Sequence, residues 1–174
     1  MLKGIFMTTD CIFEFIEEKY PERRKLHIYG VCLTAKKLAR RYGGDVKKAE
    51  TAALFHDMFR SASDLGHGEL ASAAMARDYG IDDEDVLNAV RYHTTGRPGM
   101  SLLEKIIYLA DAIEPSRDYP GVEKIRALAY KDIDRACMLL MDQTIEYIMK
   151  NGSTLDAITI RARNYLKKEG GIDG

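Results

Sequence analysis

The 174-residue chain has no surplus of either charge: 26 Lys and Arg stand against 27 Asp and Glu, a formal net charge of −1. That balance argues against a broad basic surface for nucleic acid and gives no reason to expect attachment to a membrane surface. Long apolar runs are also missing, so no membrane-spanning helix is predicted. The first residues lack the basic-then-apolar order of a signal peptide, and the expected location is cytoplasmic. Only three cysteines occur, Cys11, Cys32 and Cys137, with no CxxC spacing. An odd number without that spacing argues against a disulfide frame or a zinc knuckle and predicts reduced, mostly buried thiols. Tryptophan is absent. There is no alternating strand pattern longer than a few residues, no internal repeat and no linker-like tract.

What remains reads as helix throughout. Hydrophobic residues make up 46% and charged residues 30%, ordinary for a globular protein. A chain of this length buries roughly 70% of its unfolded surface, enough for one core. The reading is therefore all-α, a single domain over residues 1–174. The spacing predicts helices over 11–20, with Asp10 as N-cap, and from Pro21 in the first turn to about Tyr42, stopped by Gly43-Gly44. A third runs from Val46, capped by Asp45, to about Phe59, and Ser61 to Gly66 is a loop. A fourth spans Gly68 to Tyr79. A fifth runs from the acidic cluster Asp82-Asp83-Glu84-Asp85 to about His93. Thr94 to Gly99 is a loop, and Ser101-Leu102-Leu103-Glu104 is a capping box that opens a sixth helix carrying Asp111. Pro115 to Pro120 breaks the pattern, and helices follow near 121–130, 132–150 and 154–168. The Met-rich stripe Ile133, Ala136, Cys137, Leu140, Met141, Thr144 and Ile148 reads as core packing.

The chain has four histidines, His27, His56, His67 and His93, and all lie on or beside apolar helical faces. Asp57 follows His56 directly, and Asp111 follows the apolar Ile106, Ile107 and Ala110. Histidine is the commonest metal ligand and carboxylates its usual partner around a hard, water-activating cation. Six such groups suffice for two metal ions, with the two oxygens of Asp57 able to bridge them. Taken singly, each histidine reads more readily as a hydrogen-bonded core residue; taken together, the six predict a metal centre. Among the cations outside it, Arg97 is the first choice for a phosphate clamp, because Gly96 and Gly99 let the loop backbone approach closely. Arg60 and Arg117 follow, then Lys105. Tyr92 and Tyr119 are aromatic candidates for base stacking, equally readable as packing. Glu114-Pro115 can shape a turn, with Glu114 pairing a nearby arginine.

The sequence resembles the HD-domain superfamily of metal-dependent phosphohydrolases, and more closely its YqeK family, described as symmetrical diadenosine-tetraphosphate hydrolases. The matching stretches are His27-Ile28-Tyr29-Gly30-Val31 and Ala52-Ala53-Leu54-Phe55-His56-Asp57, then His67-Gly68. The run from Ala89 to Lys105 follows, with Tyr92-His93-Thr94-Thr95-Gly96-Arg97-Pro98-Gly99 at its centre, and last Leu109-Ala110-Asp111-Ala112-Ile113-Glu114-Pro115-Ser116-Arg117-Asp118-Tyr119-Pro120. The likeness covers most of residues 23–130, leaving 131–168 as packing helices. It implies an HD helical bundle with two divalent or trivalent ions, iron first and manganese next. One ion would be held by His27, His56, Asp57 and Asp111, and the other by Asp57, His67 and His93. It also implies central cleavage of a dinucleoside polyphosphate into two nucleoside diphosphates, for which the residues read above offer Asp57, Arg60 and Arg97 as catalytic candidates. The partners it implies are a small-molecule nucleotide and, for assembly, a homodimer. Two departures stand out. Arg60 replaces the lysine usual three residues after the HD aspartate, and the 11-residue step from His56 to His67 is short, which bears on substrate range. The alternatives are another nucleotide phosphohydrolase on the same centre, or a nucleotide-binding module without turnover. A structural zinc site fits least, since such sites favour cysteine.

Overall fold

The structure, a computed structural model, describes residues 9–59 and 66–169. Among these residues it is entirely helical, as expected: α1 (Thr9–Lys19), α2 (Glu22–Tyr42), α3 (Val46–Phe55), α4 (His67–Tyr79), α5 (Glu84–Arg91), α6 (Leu102–Ile113), α7 (Val122–Ala129), α8 (Ile133–Lys150) and α9 (Ala157–Glu169). No helix among them is long and apolar enough to cross a membrane. Cys32 and Cys137 are free and buried. Arg60, predicted to contact substrate, and most of the short segment after His56 lie outside the described residues.

The helix ends follow from local chemistry. Gly43 takes the left-handed conformation (φ 69°) that closes α2. The Asp45 carboxylate accepts from the backbone N–H of Lys47 and Lys48 at 2.8 and 3.1 Å to open α3. Asp83 does the same for α5. Ser101 and Glu104 form the predicted reciprocal capping box on α6. Some boundaries differ from expectation. Pro21 is the N-cap of α2 rather than part of its first turn, and Asp10 lies inside α1 rather than ahead of it.

The third helix ends at Phe55, four residues short of the predicted Phe59, and residues 56–59 form a turn. No glycine or proline marks this stop. Instead, the unwound carbonyls are taken up by other elements. The Arg24 guanidinium donates to the Asp57 carbonyl, and the Tyr20 hydroxyl donates to that of Met58 at 2.8 Å. Those bonds replace what the helix ladder would have supplied.

The core is built around α6, which is apolar nearly all round; Leu103, Ile106, Ile107, Leu109, Ala110 and Ile113 are all buried. It packs against α2, α3, α5, α7 and α8, so a residue near its end sits at the centre of the bundle. In α8 the residues Ile133, Ala136, Cys137, Leu140 and Met141 are buried, as the stripe predicted, whereas its last two members, Thr144 and Ile148, are only half-buried; α9 packs outside it.

Candidate metal centre

The two histidines nearest the helix ends are placed by one device used twice. His56 caps the C-terminus of α3, and its Nδ1 lies 2.6 Å from the carbonyl of Ala53, three residues back. His93 stands just past α5, with Nδ1 2.7 Å from the carbonyl of Val90, also three residues back. Each ring thereby satisfies one of the carbonyls left without a partner at a helix end. A carbonyl only accepts, so Nδ1 carries a proton and each ring turns its Nε2 inward.

His27 reaches the same point from α2. Its Nδ1 lies 3.1 Å from Glu114 Oε1, so its Nε2 also faces the centre. That nitrogen is 3.2 Å from Asp111 Oδ1, 3.7 Å from Asp57 Oδ2 and 3.3 Å from His56 Nε2. His56 Nε2 is 3.8 Å from the same Asp57 oxygen and 3.9 Å from Asp111 Oδ1. On the other side, His67 Nε2 and His93 Nε2 are 3.0 Å apart, and lie 3.3 and 3.6 Å from Asp57 Oδ1. Asp57 thus turns one oxygen to each group. The stop after Phe55 explains how: on a continuous helix, adjacent side chains diverge by about 100°, and the turn re-aims Asp57 to where His56 already points.

Burial pushes His56 down to a pKa of about 4, so its ring is neutral at pH 7. Burial also opposes a charge on His27, but the hydrogen bond and attraction of Asp111, with help from Glu114, outweigh it and raise that pKa. Asp111 is desolvated too, yet the hydrogen bond from His27 and the nearby Arg117 guanidinium hold its carboxyl far below the usual range. On the first side two imidazole nitrogens and two carboxylate oxygens converge on one point. The donor set therefore fits metal, with imidazole nitrogen and carboxylate oxygen on both sides and no thiolate. The two triads His27–His56–Asp57 and Asp57–His67–His93 each have ligand atoms within 4.8 Å of one another.

Close packing sets the gauge of the second pair. His67 is the first residue of α4 rather than part of the loop before it, and Gly68 is the second. A Cβ on Gly68 would come 2.6 Å from the Arg91 carbonyl oxygen and 2.9 Å from that of Val90. Only glycine lets α4 start this near the end of α5.

The candidate cations are divided. Arg117 stands at the centre: its Nε donates to the Asp111 carbonyl at 2.8 Å and its Nη2 to Asp111 Oδ1 at 2.5 Å. Arg97 is turned away to the buried Glu104, with a bidentate pair at 2.7 and 2.6 Å, and its guanidinium lies 5.3 Å from the centroid of the Tyr92 ring. Glu104 needs that partner because it is buried. The open conformations of Gly96 and Gly99 serve the turn, and a Cβ on Gly96 would strike the Met141 side chain. Lys105 pairs with Asp134 at 2.6 Å on α8.

Three residues that the sequence reading left out, or gave another part, complete the site. Glu114 is buried and faces His27 Nδ1, and it also accepts from the Ser116 backbone and hydroxyl. A Cβ on Gly30, three residues after His27, would come 2.6 Å from Glu114 Oε2, so that glycine admits the carboxylate. Arg24 braces the turn that bears Asp57. Arg126 donates to the carbonyls of Ile113, Glu114 and Arg117 at 2.9, 2.9 and 2.6 Å and fixes the segment after α6. Carboxylates behind metal-binding histidines typically set affinity or activity by about 10–100-fold. Glu114→Ala is accordingly expected to weaken metal binding by about that factor with the helix content intact, read by metal titration against a competing chelator. An unchanged affinity would remove Glu114 from the site.

Two cavities flank the centre. One of about 730 Å³ is lined by Arg23, Arg24, His27, Arg117 and Tyr119 among others. The second, of about 920 Å³, includes His93, Asp111, Arg117, Tyr119, Gln143 and Tyr147. Arg117 and Tyr119 line both.

The chain is similar to proteins of known family. The HD domain family model matches residues 24–116, more than half of the chain. The symmetrical bis(5'-nucleosyl)-tetraphosphatase of Bacillus subtilis is 39% identical over 173 residues, covering 87% of this chain and 93% of that protein. The protein of the same name from Staphylococcus aureus is 38% identical over 86% of this chain and 89% of its own length. Among solved structures, a predicted HD superfamily hydrolase involved in NAD metabolism from Clostridium acetobutylicum superposes with a TM-score of 0.86 at 37% identity. That match covers 94% of this chain and 99% of the other.

Proposed function

The chain belongs to the HD domain family, and from that premise we propose that it is a metal-dependent hydrolase of dinucleoside polyphosphates, cutting diadenosine tetraphosphate at its middle. Water adds to one of the two central phosphates and the bridging P–O bond breaks, giving two molecules of ADP. The observation that carries this reading is Asp57, whose two oxygens face two separate histidine pairs. Relatives of nearly the same length that bear the tetraphosphatase name support it.

His27, His56, Asp57 and Asp111 would hold one ion, and Asp57, His67 and His93 the other. When bound, such a pair supplies a water of lowered pKa and neutralises charge on the phosphate under attack. The protein does the rest. Glu114, Ala53 and Val90 fix three imidazole protons on the outer nitrogens, keeping the inner ones as ligands. Asp111 holds Arg117 at the edge of both cavities, where its planar donors suit phosphate oxygens. Iron is the proposed metal, with manganese next, because the mixed imidazole and carboxylate set suits either. The proposed setting is the cytoplasm, with a small-molecule nucleotide as the partner, a homodimer as the assembly, and no part for nucleic acid.

The test is a substrate panel under anaerobic iron or manganese loading, with products identified. ADP alone from diadenosine tetraphosphate supports the proposal. Free phosphate from mononucleotides would favour a nucleotidase, and binding without turnover would favour a sensing module. Within the panel, Arg117→Ala is expected to lower kcat/KM by about 10–100-fold, the range for losing a charged hydrogen bond. An unchanged kcat/KM would remove Arg117 from the phosphate site.

A further inference from the structure

The two cavities meet at the centre but differ in character. The smaller one is strongly charged: Arg23 and Arg24 on α2 and Arg117 line it together with Asp57, Glu114 and Asp118, Asp57 and Glu114 belonging to the metal centre. The larger is walled by one face of α8, where Leu140, Gln143, Thr144 and Tyr147 fall at helical spacing, with Tyr119 across from them. This stripe shares Leu140 and Thr144 with the core-facing one and adds Gln143 and Tyr147 at its edge. Tyr147 lines the cavity and is 69% exposed. The half-buried Gln143 has an Oε1 with no hydrogen-bond partner in the protein. Its amide packs over Gly121, where a Cβ would come 2.5 Å from Nε2. That oxygen is buried, but the terminal amide torsion is soft, so a turn of the amide offers it to a ligand beside the nitrogen.

We propose that the larger cavity binds one nucleoside of the substrate, the base lying on the Tyr147 ring with its polar edge met by the Gln143 amide. The phosphate chain then passes Arg117 and runs into the arginine-lined cavity. A side-chain amide that both accepts and donates matches the amino group and ring nitrogen of adenine. An exposed aromatic ring at a cavity mouth is the usual platform for a base. The two ends of a symmetric substrate are thus read differently, one by its base and the other by its charge. This inference rests on the hydrolase reading above, but its test separates the two.

ADP binding is measured by calorimetry and KM for diadenosine tetraphosphate by product release, on the full metal-loaded chain. Tyr147→Ala is expected to weaken ADP and raise KM by about tenfold each, the scale of a lost base stack, with a much smaller change in kcat. Tyr147→Phe, which keeps the ring, is expected to restore both. Gln143→Leu is expected to weaken ADP by about five- to tenfold. Met149→Ala, an equally exposed neighbour (69%) that does not line the cavity, serves as control. Unchanged ADP affinity and KM in Tyr147→Ala, or equal losses in Met149→Ala, would overturn the assignment. If ADP binding depends on Tyr147 but no dinucleotide is cut, the nucleoside site stands and the hydrolase reading falls. If hydrolysis proceeds while Tyr147 and Gln143 are silent, the reverse holds.

Discussion

Replacing Asp57 by alanine is expected to empty both halves of the centre at once. Each histidine pair faces one oxygen of this carboxylate, at 3.7 and 3.8 Å on one side and 3.3 and 3.6 Å on the other. None of the other five candidate ligands stands in both groups. Protein prepared without chelator should carry about two metal ions per chain, as a two-metal site requires, and the Asp57→Ala protein close to none. Two-metal sites contribute several kcal/mol of transition-state stabilisation, and about 1.4 kcal/mol is a factor of ten in rate. Hydrolysis should therefore fall on the order of a thousandfold or more. Elemental analysis beside a turnover assay decides it. Full activity in the variant would sink the two-ion centre, and loss of only one ion would show that Asp57 does not bridge.

Removal of the metal should also cost the fold heavily, and this is read without any substrate. His56, Asp57, His67 and His93 are all buried, and His27 and Asp111 nearly so. An ion present at a thousandfold excess over its dissociation constant stabilises the native state by about 4 kcal/mol. For a chain of this size each kcal/mol moves Tm by about 2–4 °C. Chelation is thus expected to lower Tm by roughly 10 °C, and anaerobic iron or manganese to restore it. The Asp57→Ala protein should melt at one temperature with or without chelator. A wild-type Tm indifferent to chelation would mean that the histidines and aspartates hold no ion that matters to the fold.

The helix starts were legible because their signals are local. Asp45, Asp83 and the Ser101–Glu104 box each act within three residues of themselves. The six candidate ligands were legible as a set, since apolar faces and the likeness to a known family point to them together. What escaped is what depends on distance along the chain. Glu114 meets His27 across 87 residues, and Arg24 meets the Asp57 carbonyl across 33. The early end of α3 escaped for the same reason, because its carbonyls are satisfied by Tyr20 and Arg24 and no breaker residue records it. Arg97 looked like a clamp because its loop is rich in glycine. The need of buried Glu104 for a partner, which decides its direction, appears only once burial is known.

The two halves of the centre differ in what they ask of evolution. The first draws its ligands from α2, α3 and α6, the thickest part of the bundle, where many contacts would share any strain. The second hangs on the narrow seat where Gly68 rests against the carbonyls of Val90 and Arg91. The Val90 carbonyl that a side chain at 68 would strike is the same one that orients His93. A single methyl group there would lever His67 from His93 and leave the other four ligands standing. In the proposed centre this is a one-step path from two ions to one, and the gatekeeper on that path is a residue with no side chain at all.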